Sequence, residues 1–171
     1  MFFRRALKKE PFPIELAAEE EPVAQDPDTV LQDEWGLYHL WYFERRLQDE
    51  LMRSARREGV FSLVAWQLRL LPGEALDSQH LRQCAALIVK NLRSYDIPAR
   101  SDPQRFVAIL FDADYTEAST VAYRIKGELQ IRAPSAGKWQ AGIATFGRDG
   151  VDGESLIQAT LQRLEGDRKA A

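Results

Sequence analysis

The chain has 171 residues, of which 45% are hydrophobic and 29% are charged, and its formal net charge is −3. This composition is typical of a soluble globular protein with one domain of ordinary size. The small negative charge argues against a nucleic-acid binder, which would carry a basic face. With only Cys84 and two histidines, the sequence excludes an internal disulfide and a cysteine or histidine metal cluster. We expect Cys84 to be a small core residue and the protein to be cytoplasmic, where thiols stay reduced.

The first 30 residues differ in composition from the rest of the chain. Residues 1–9 combine four cations with two phenylalanines, and residues 10–28 hold seven acidic residues among four prolines. Such an acidic, proline-interrupted segment repels itself and breaks helices, so residues 1–30 are predicted to be a disordered tether. The basic start leaves a membrane-surface contact open beside the plainer interpretation as a solvated terminus. No apolar run approaches the ~18 residues that cross a bilayer.

Hydrophobic periodicity predicts an ordered domain over residues 31–166, followed by a tail over 167–171. Its elements are predicted as a helix over 37–57, a strand over 61–68, a helix over 78–92, strands over 97–100 and 105–111, a helix over 115–129, a strand over 139–146 and a helix over 153–164. This order predicts an α/β sandwich in which helices pack on the faces of a mainly antiparallel, ferredoxin-like sheet.

The most specific pattern lies between Arg93 and Phe106. An Arg-x-x-Asp motif, Arg93 to Asp96, precedes by five residues the hairpin tip Asp102-Pro103-Gln104-Arg105-Phe106. In order and spacing this segment resembles the GGDEF (diguanylate cyclase) family, whose tip reads Gly-Gly-Asp/Glu-Glu-Phe. The resemblance extends over about residues 32–166, and it implies the nucleotide-cyclase type of ferredoxin-like fold.

The same resemblance implies that the catalytic residues are degenerate. Gln67 stands where the family has an aspartate that binds magnesium, and Arg69 stands where a second aspartate is usual. Gln104 and Arg105 replace the two acids of the tip, and Asp102-Pro103 replaces the glycines that let the backbone approach the substrate phosphates. Magnesium prefers anionic oxygen ligands. We therefore expect no diguanylate cyclase activity, no metal and no cofactor.

The Arg-x-x-Asp motif is, in the family, the allosteric site for the product cyclic di-GMP. The resemblance implies that Arg93, Asp96 and, on the third helix, Arg124 bind this dinucleotide, with Arg100 as a weaker candidate. A guanidinium can form paired hydrogen bonds with a phosphate or with guanine O6 and N7. The alternative interpretation is a solvated ion pair, which is what an Arg-x-x-Asp pair usually forms.

Two functions follow from these alternatives. The first is a catalytically inactive GGDEF-like domain that senses cyclic di-GMP, and the second is a scaffold or interaction module with neither activity. For the second, self-association or a protein partner would use the aromatic candidates Trp35, Trp41 and Trp139. Asp112 and Asp114 form an acidic pair, but their position predicts the end of a strand and a helix cap rather than a metal site.

Overall fold

A computed structural model describes residues 31–75, 77–132 and 137–166. The predicted tether over 1–30 and tail over 167–171 lie outside the described residues. The helices are α1 (Leu40–Arg57), α2 (Ser78–Asn91), α3 (Tyr115–Arg132) and α4 (Gly153–Gly166). The strands are β1 (Phe61–Leu70), β2 (Ile97–Asp102), β3 (Arg105–Phe111) and β4 (Gly137–Thr145). No helix of the described part of the chain is long and apolar enough to cross a membrane.

The four strands form one antiparallel sheet in the order β2-β3-β1-β4. This confirms the predicted element order and the ferredoxin-like α/β class. The first helix begins three residues later than predicted, because the preceding segment has its own partners. The Asp33 carboxylate accepts hydrogen bonds from the backbone N–H groups of Trp35 and Leu37, and the Tyr38 N–H donates to the carbonyl of Pro98 on β2.

Each face of the sheet carries its own hydrophobic core, because successive side chains of a strand point to opposite faces. On β1, Val64, Trp66 and Leu68 point toward α2 and α3, whereas Leu63 and Ala65 point toward α1 and α4. The predicted core position of Cys84 is confirmed, and burial raises the pKa of its thiol to about 11. The other buried members of the α1 and α4 core include Phe43, Leu47, Leu51, Val107, Ile109, Leu156, Ile157 and Leu164.

Side chains engage the outer edge of β4. Gln130 of α3 donates its amide N–H to the carbonyl of Gly137 and accepts from the N–H of Trp139. Further along, the Asp149 carboxylate accepts from the N–H of Thr145, and Arg163 of α4 donates to the carbonyl of Ile143. Asp149 and Arg163 are also joined by two hydrogen bonds of 2.6 and 2.9 Å. The loop after β4 is thereby clamped to α4.

Two smaller predictions have opposite outcomes. The prediction that Trp139 is an exposed aromatic residue available to a partner is wrong. Its side chain points into the α2 and α3 core, where it is 2% exposed and stacks on Phe106. The predicted cap is confirmed, since the Asp114 carboxylate accepts from the Glu117 N–H and the Glu117 carboxylate accepts from the Asp114 N–H. This reciprocal pair is a capping box, and it gives Asp114 a structural role.

Candidate functional site

The hairpin between β2 and β3 places the predicted degenerate residues at one end of the sheet. Gln67 of β1 lies opposite Arg105 of β3 in the strand register. Its amide oxygen accepts two hydrogen bonds from the Arg105 guanidinium, from Nε at 3.2 Å and from Nη2 at 3.0 Å. The fourth residue of the tip, rather than the third, therefore faces the position of the expected metal ligand.

On the other side of Gln67, Gln140 of β4 is its register partner. The amide oxygen of Gln140, which is buried, accepts a hydrogen bond of 2.8 Å from Nε of Arg69. The sequence reasoning missed Gln140. The signal that could have found it is the alternation of side-chain direction along a strand, which puts Gln140 on the same face of β4 as Gly142 and Ala144.

These residues do not fit magnesium. The ion needs anionic oxygen ligands, whereas Gln67 offers a neutral amide whose oxygen is already used, and Arg105 adds a positive charge. No group of three or more potential metal-ligating side chains occurs within the described ranges. The tip itself is held through the backbone of Gln104: its N–H donates to the Asp102 carboxylate, and its carbonyl accepts from the Leu68 N–H.

The Arg-x-x-Asp motif forms a turn between α2 and β2. Arg93 is exposed, and its Nη1 donates to the Tyr95 hydroxyl at 3.1 Å, with the guanidinium 5.8 Å from the ring centroid. Asp96, by contrast, is 4% exposed, and its carboxylate accepts from the backbone N–H groups of Arg93 and Phe111. Burial raises the pKa of Asp96, although these two hydrogen bonds and the charge of Arg93 act in the opposite direction.

The two residues of the motif therefore have different structural roles. Asp96 fixes the turn through backbone groups, and Arg93 presents its guanidinium to solvent. No ion pair joins their side chains within the described residues, so the alternative of a simple solvated pair does not describe this geometry. Sequence reasoning missed Tyr95, which no pattern in the sequence singled out.

Arg124 lies beside the same turn. Its Nη2 donates to the carbonyl of Asn91 at 3.1 Å, at the C-terminal end of α2. Asn91 and Arg93 are two residues apart in the sequence, so their Cα atoms lie at most about 7 Å apart. The structure thus brings Arg93 and Arg124 to one shoulder of the domain. Arg100 has a different environment, because its guanidinium stacks on the ring of Trp35 at 4.3 Å.

Comparison with solved structures places this geometry in a known fold. The GGDEF domain of TpbB (YfiN) from Pseudomonas aeruginosa matches with a TM-score of 0.71 at 19% identity, over 82% of this chain and 90% of that one. The chain has the GGDEF fold. The GGDEF domain of DgcB from Caulobacter crescentus, solved in complex with c-di-GMP, matches with a TM-score of 0.68 at 15% identity, over 87% and 94% of the two chains.

A third similar structure contains a second protein. The diguanylate cyclase SiaD from Pseudomonas aeruginosa, solved in complex with its activator SiaC, matches with a TM-score of 0.69 at 19% identity. The match covers 82% of this chain and 59% of that one. No protein-family model and no curated protein sequence matches the chain. The similarity therefore concerns the GGDEF fold itself.

Proposed function

We propose that this protein is a catalytically inactive GGDEF-fold domain that binds cyclic di-GMP at the Arg93, Asp96 and Arg124 shoulder. The observation that carries the proposal is the placement of two arginines from different elements at one turn. Arg93 comes from the α2–β2 turn, and Arg124 comes from α3. A ligand with two phosphates and two guanines offers each guanidinium an acceptor pair that fits its planar fork.

Within this site the residues have different roles. Arg93 is exposed and reaches a phosphate or a guanine edge without rearrangement of the backbone. Arg124 donates to the Asn91 carbonyl and would exchange this neutral acceptor for an anionic one, which forms stronger hydrogen bonds. Asp96 is a positioning residue, because both of its carboxylate oxygens hold backbone N–H groups of the turn.

The inactivity of the domain is supported by the other end of the sheet. Phosphoryl transfer depends on positioning and on metal charge. Gln67 and Arg105 bind each other, and Pro103 lacks the backbone N–H that could contact a phosphate. We expect no cyclic di-GMP from the protein when it is incubated with GTP and either magnesium or manganese. Product formation above that of a heat-inactivated sample would contradict this part of the proposal.

Calorimetry with cyclic di-GMP tests the binding site. We expect micromolar affinity, loss of binding in Arg93→Ala, and at least tenfold weaker binding in Arg124→Ala. Arg57→Ala is the matched control, because Arg57 is also exposed but lies in the last turn of α1. Arg93 and Arg124 are surface residues, so circular dichroism should show that all three variants fold. Absence of binding at millimolar ligand would refute the sensor function.

A second candidate function, a protein-interaction module, is favoured by the exposed aromatic surface of α1. Trp41 is 38% exposed and packs edge-on against Tyr42, which in turn stacks on Tyr38. Exposed aromatic clusters of this kind are enriched at protein interfaces. A partner, or a second copy of the chain, would then dock there. This candidate replaces the first if cyclic di-GMP does not bind and Trp41→Ala abolishes association with the partner.

A further inference from the structure

The shoulder at the α2–β2 turn carries two guanidinium groups that form no ion pair with a carboxylate of the described residues. Arg93 donates to the hydroxyl of Tyr95, and Arg124 donates to the carbonyl of Asn91, so the partners of both groups are neutral. Lys90, next to Asn91 in the last turn of α2, adds an exposed cation. The shoulder therefore presents positive charge to solvent.

The acidic side chains around this shoulder are used elsewhere. Asp96 is buried and accepts from backbone N–H groups of the turn. Glu117 caps the start of α3, and Glu128 accepts from a side-chain amide at the end of α2. The pKa of Arg93 is raised mainly by its hydrogen bond to Tyr95, and less by the charges of Asp96 and Glu117. Both guanidinium groups are therefore left for an anion from outside the described domain.

The chain itself carries a suitable anion next to this surface. Residues 10–28, which lie outside the described residues, contain seven acidic residues and no lysine or arginine, and we call them the acidic segment. It joins the domain at Leu31, whose carbonyl accepts from the N–H of His39. The adjacent Tyr38 donates to the carbonyl of Pro98, which is two residues along the chain from the Arg-x-x-Asp turn. The acidic segment is therefore attached beside the shoulder.

The acidic segment is long enough to reach the shoulder, and other cationic surfaces lie further away. Residues 19–21, which are all glutamates, precede Leu31 by ten to twelve positions, and ten residues span at most about 35 Å. Arg57 is at the opposite end of α1, about 25 Å along the helix axis. Arg69 is at the hairpin end of the sheet, whereas the shoulder lies at the start of β2. The shoulder thus lies at the end of the sheet where the acidic segment joins.

We propose that the acidic segment docks on the Arg93 and Arg124 shoulder and competes there with the dinucleotide. A carboxylate offers each guanidinium two charged acceptors in place of one neutral oxygen, and such hydrogen bonds are stronger. Exposed ion pairs are individually weak and are screened by salt, but attachment to the same chain keeps these acids at a high effective concentration. Docking is therefore reversible and depends on ionic strength. The competition, unlike the docking, rests on the proposed cyclic di-GMP site.

A nitroxide label in the acidic segment of the whole chain detects docking without any ligand. Ala17→Cys can be labelled selectively, because the only native thiol, Cys84, is buried. At low ionic strength we expect the label to broaden the backbone amide NMR signals of Tyr95 and Arg124. The signals should recover in about 0.5 M sodium chloride, which screens exposed charges. They should also recover when the glutamates at 19–21 are all replaced by glutamine.

Variants of the domain show which cations hold the acidic segment. The double variant Arg93→Ala, Arg124→Ala should lose the broadening. Arg45→Ala is the matched control and should retain it, because Arg45 is exposed in α1 and also lies near Leu31. All three arginines are partly or fully at the surface, and circular dichroism checks that the variants fold. Broadening that is absent, spread evenly over the domain, retained in the double variant or lost in Arg45→Ala overturns the docking.

Cyclic di-GMP then tests the competition. The ligand should restore the broadened signals of the labelled chain. It should also bind about threefold more tightly to the glutamine variant at 19–21 than to the wild type, as expected for a shoulder that the segment occupies two-thirds of the time. The control variant Asp49→Asn, Glu74→Gln, Glu154→Gln removes as many charges from exposed positions and should bind as the wild type does.

The two parts of the proposal fail in different ways. Equal affinity of the wild type and the glutamine variant, or ligand binding that leaves the broadening in place, overturns the competition. If cyclic di-GMP does not bind at all, the proposed function and the competition fail together. The labelling experiment contains no ligand, so it decides the docking in either case.

Discussion

Replacing Asp96 by alanine tests how the turn that presents Arg93 is held. The two carboxylate oxygens of Asp96 accept from the N–H groups of Arg93, at 2.9 Å, and Phe111, at 3.3 Å. Alanine would leave both donors without an acceptor, and a buried unpaired donor costs about 1–3 kcal/mol. The Phe111 N–H is buried but its hydrogen bond is long, whereas the Arg93 N–H is only partly buried. We therefore expect a loss of about 2–4 kcal/mol in the free energy of unfolding.

Urea denaturation followed by circular dichroism at pH 7 measures this loss. Asp49→Ala is the matched control, since Asp49 is an exposed residue of α1 and alanine favours helix. We expect the control to stay within about 0.5 kcal/mol of the wild type. If Asp96→Ala stayed within the same margin, the carboxylate would not hold the turn, and its role would have to be direct contact with the ligand.

The raised pKa of Asp96 adds a dependence on pH with a definite sign. Burial is its main cause, so the folded protein binds the proton more tightly than the unfolded chain. The pH-dependent part of the stability contributed by Asp96 is fully present below the unfolded pKa of about 3.9 and is lost as the pH rises through the folded pKa, whereas the two hydrogen bonds that Asp96→Ala removes are still made at pH 7. The stability of the wild type relative to Asp96→Asn should therefore fall with rising pH over this range. A constant or rising difference would contradict the burial argument.

Three further predictions concern the scaffold. Asp149→Asn should lower the free energy of unfolding by about 2–3 kcal/mol at pH 7. Arg163 lowers the pKa of Asp149, so this contribution is present above the unfolded pKa and should vanish in urea titrations as the pH falls through the folded one. Gly142→Ala should lower the melting temperature, because a Cβ would overlap a carbonyl of α4, whereas Gly127→Ala, which has open space, should not. Cys84 should react with Ellman's reagent only after unfolding; reaction of the folded protein at the same rate would disprove its burial.

The fold was predictable because its periodicities are strong and its turns are marked. The apolar runs of β1 and β3 predict buried strands, and the turn at Asp102-Pro103 predicts the β2–β3 hairpin that the register shows. Helix ends were less predictable, since they depend on tertiary partners. The start of α1 is set by the bridge between Tyr38 and β2, and α3 continues to Arg132 because Gln130 bonds the edge of β4.

The candidate site was only partly predictable, because residue type does not reveal which groups a side chain meets. Arg93 and Arg124 were expected to contact one ligand, which stays a prediction; the structure places Arg93 in the α2–β2 turn and Arg124 on the Asn91 carbonyl beside it. The pattern could not show that Asp96 points inward, since an aspartate that holds a turn and one that binds a ligand occupy the same spacing. Trp139 was mistaken for a surface residue because β4 has apolar residues on both faces, so its alternation is weak.

Side-chain and loop contacts on both outer strands of the sheet restrict how this domain can associate with other proteins. On β4, side chains of Gln130, Asp149 and Arg163 occupy backbone groups that a further strand would need, and on β2 Tyr38 binds the carbonyl of Pro98, which itself has no N–H to offer. Such edges resist strand addition and the amyloid-like stacking that follows from it. We therefore expect a partner to contact side chains of the domain rather than to add a strand to its sheet, so a substitution of an interface side chain should weaken the association.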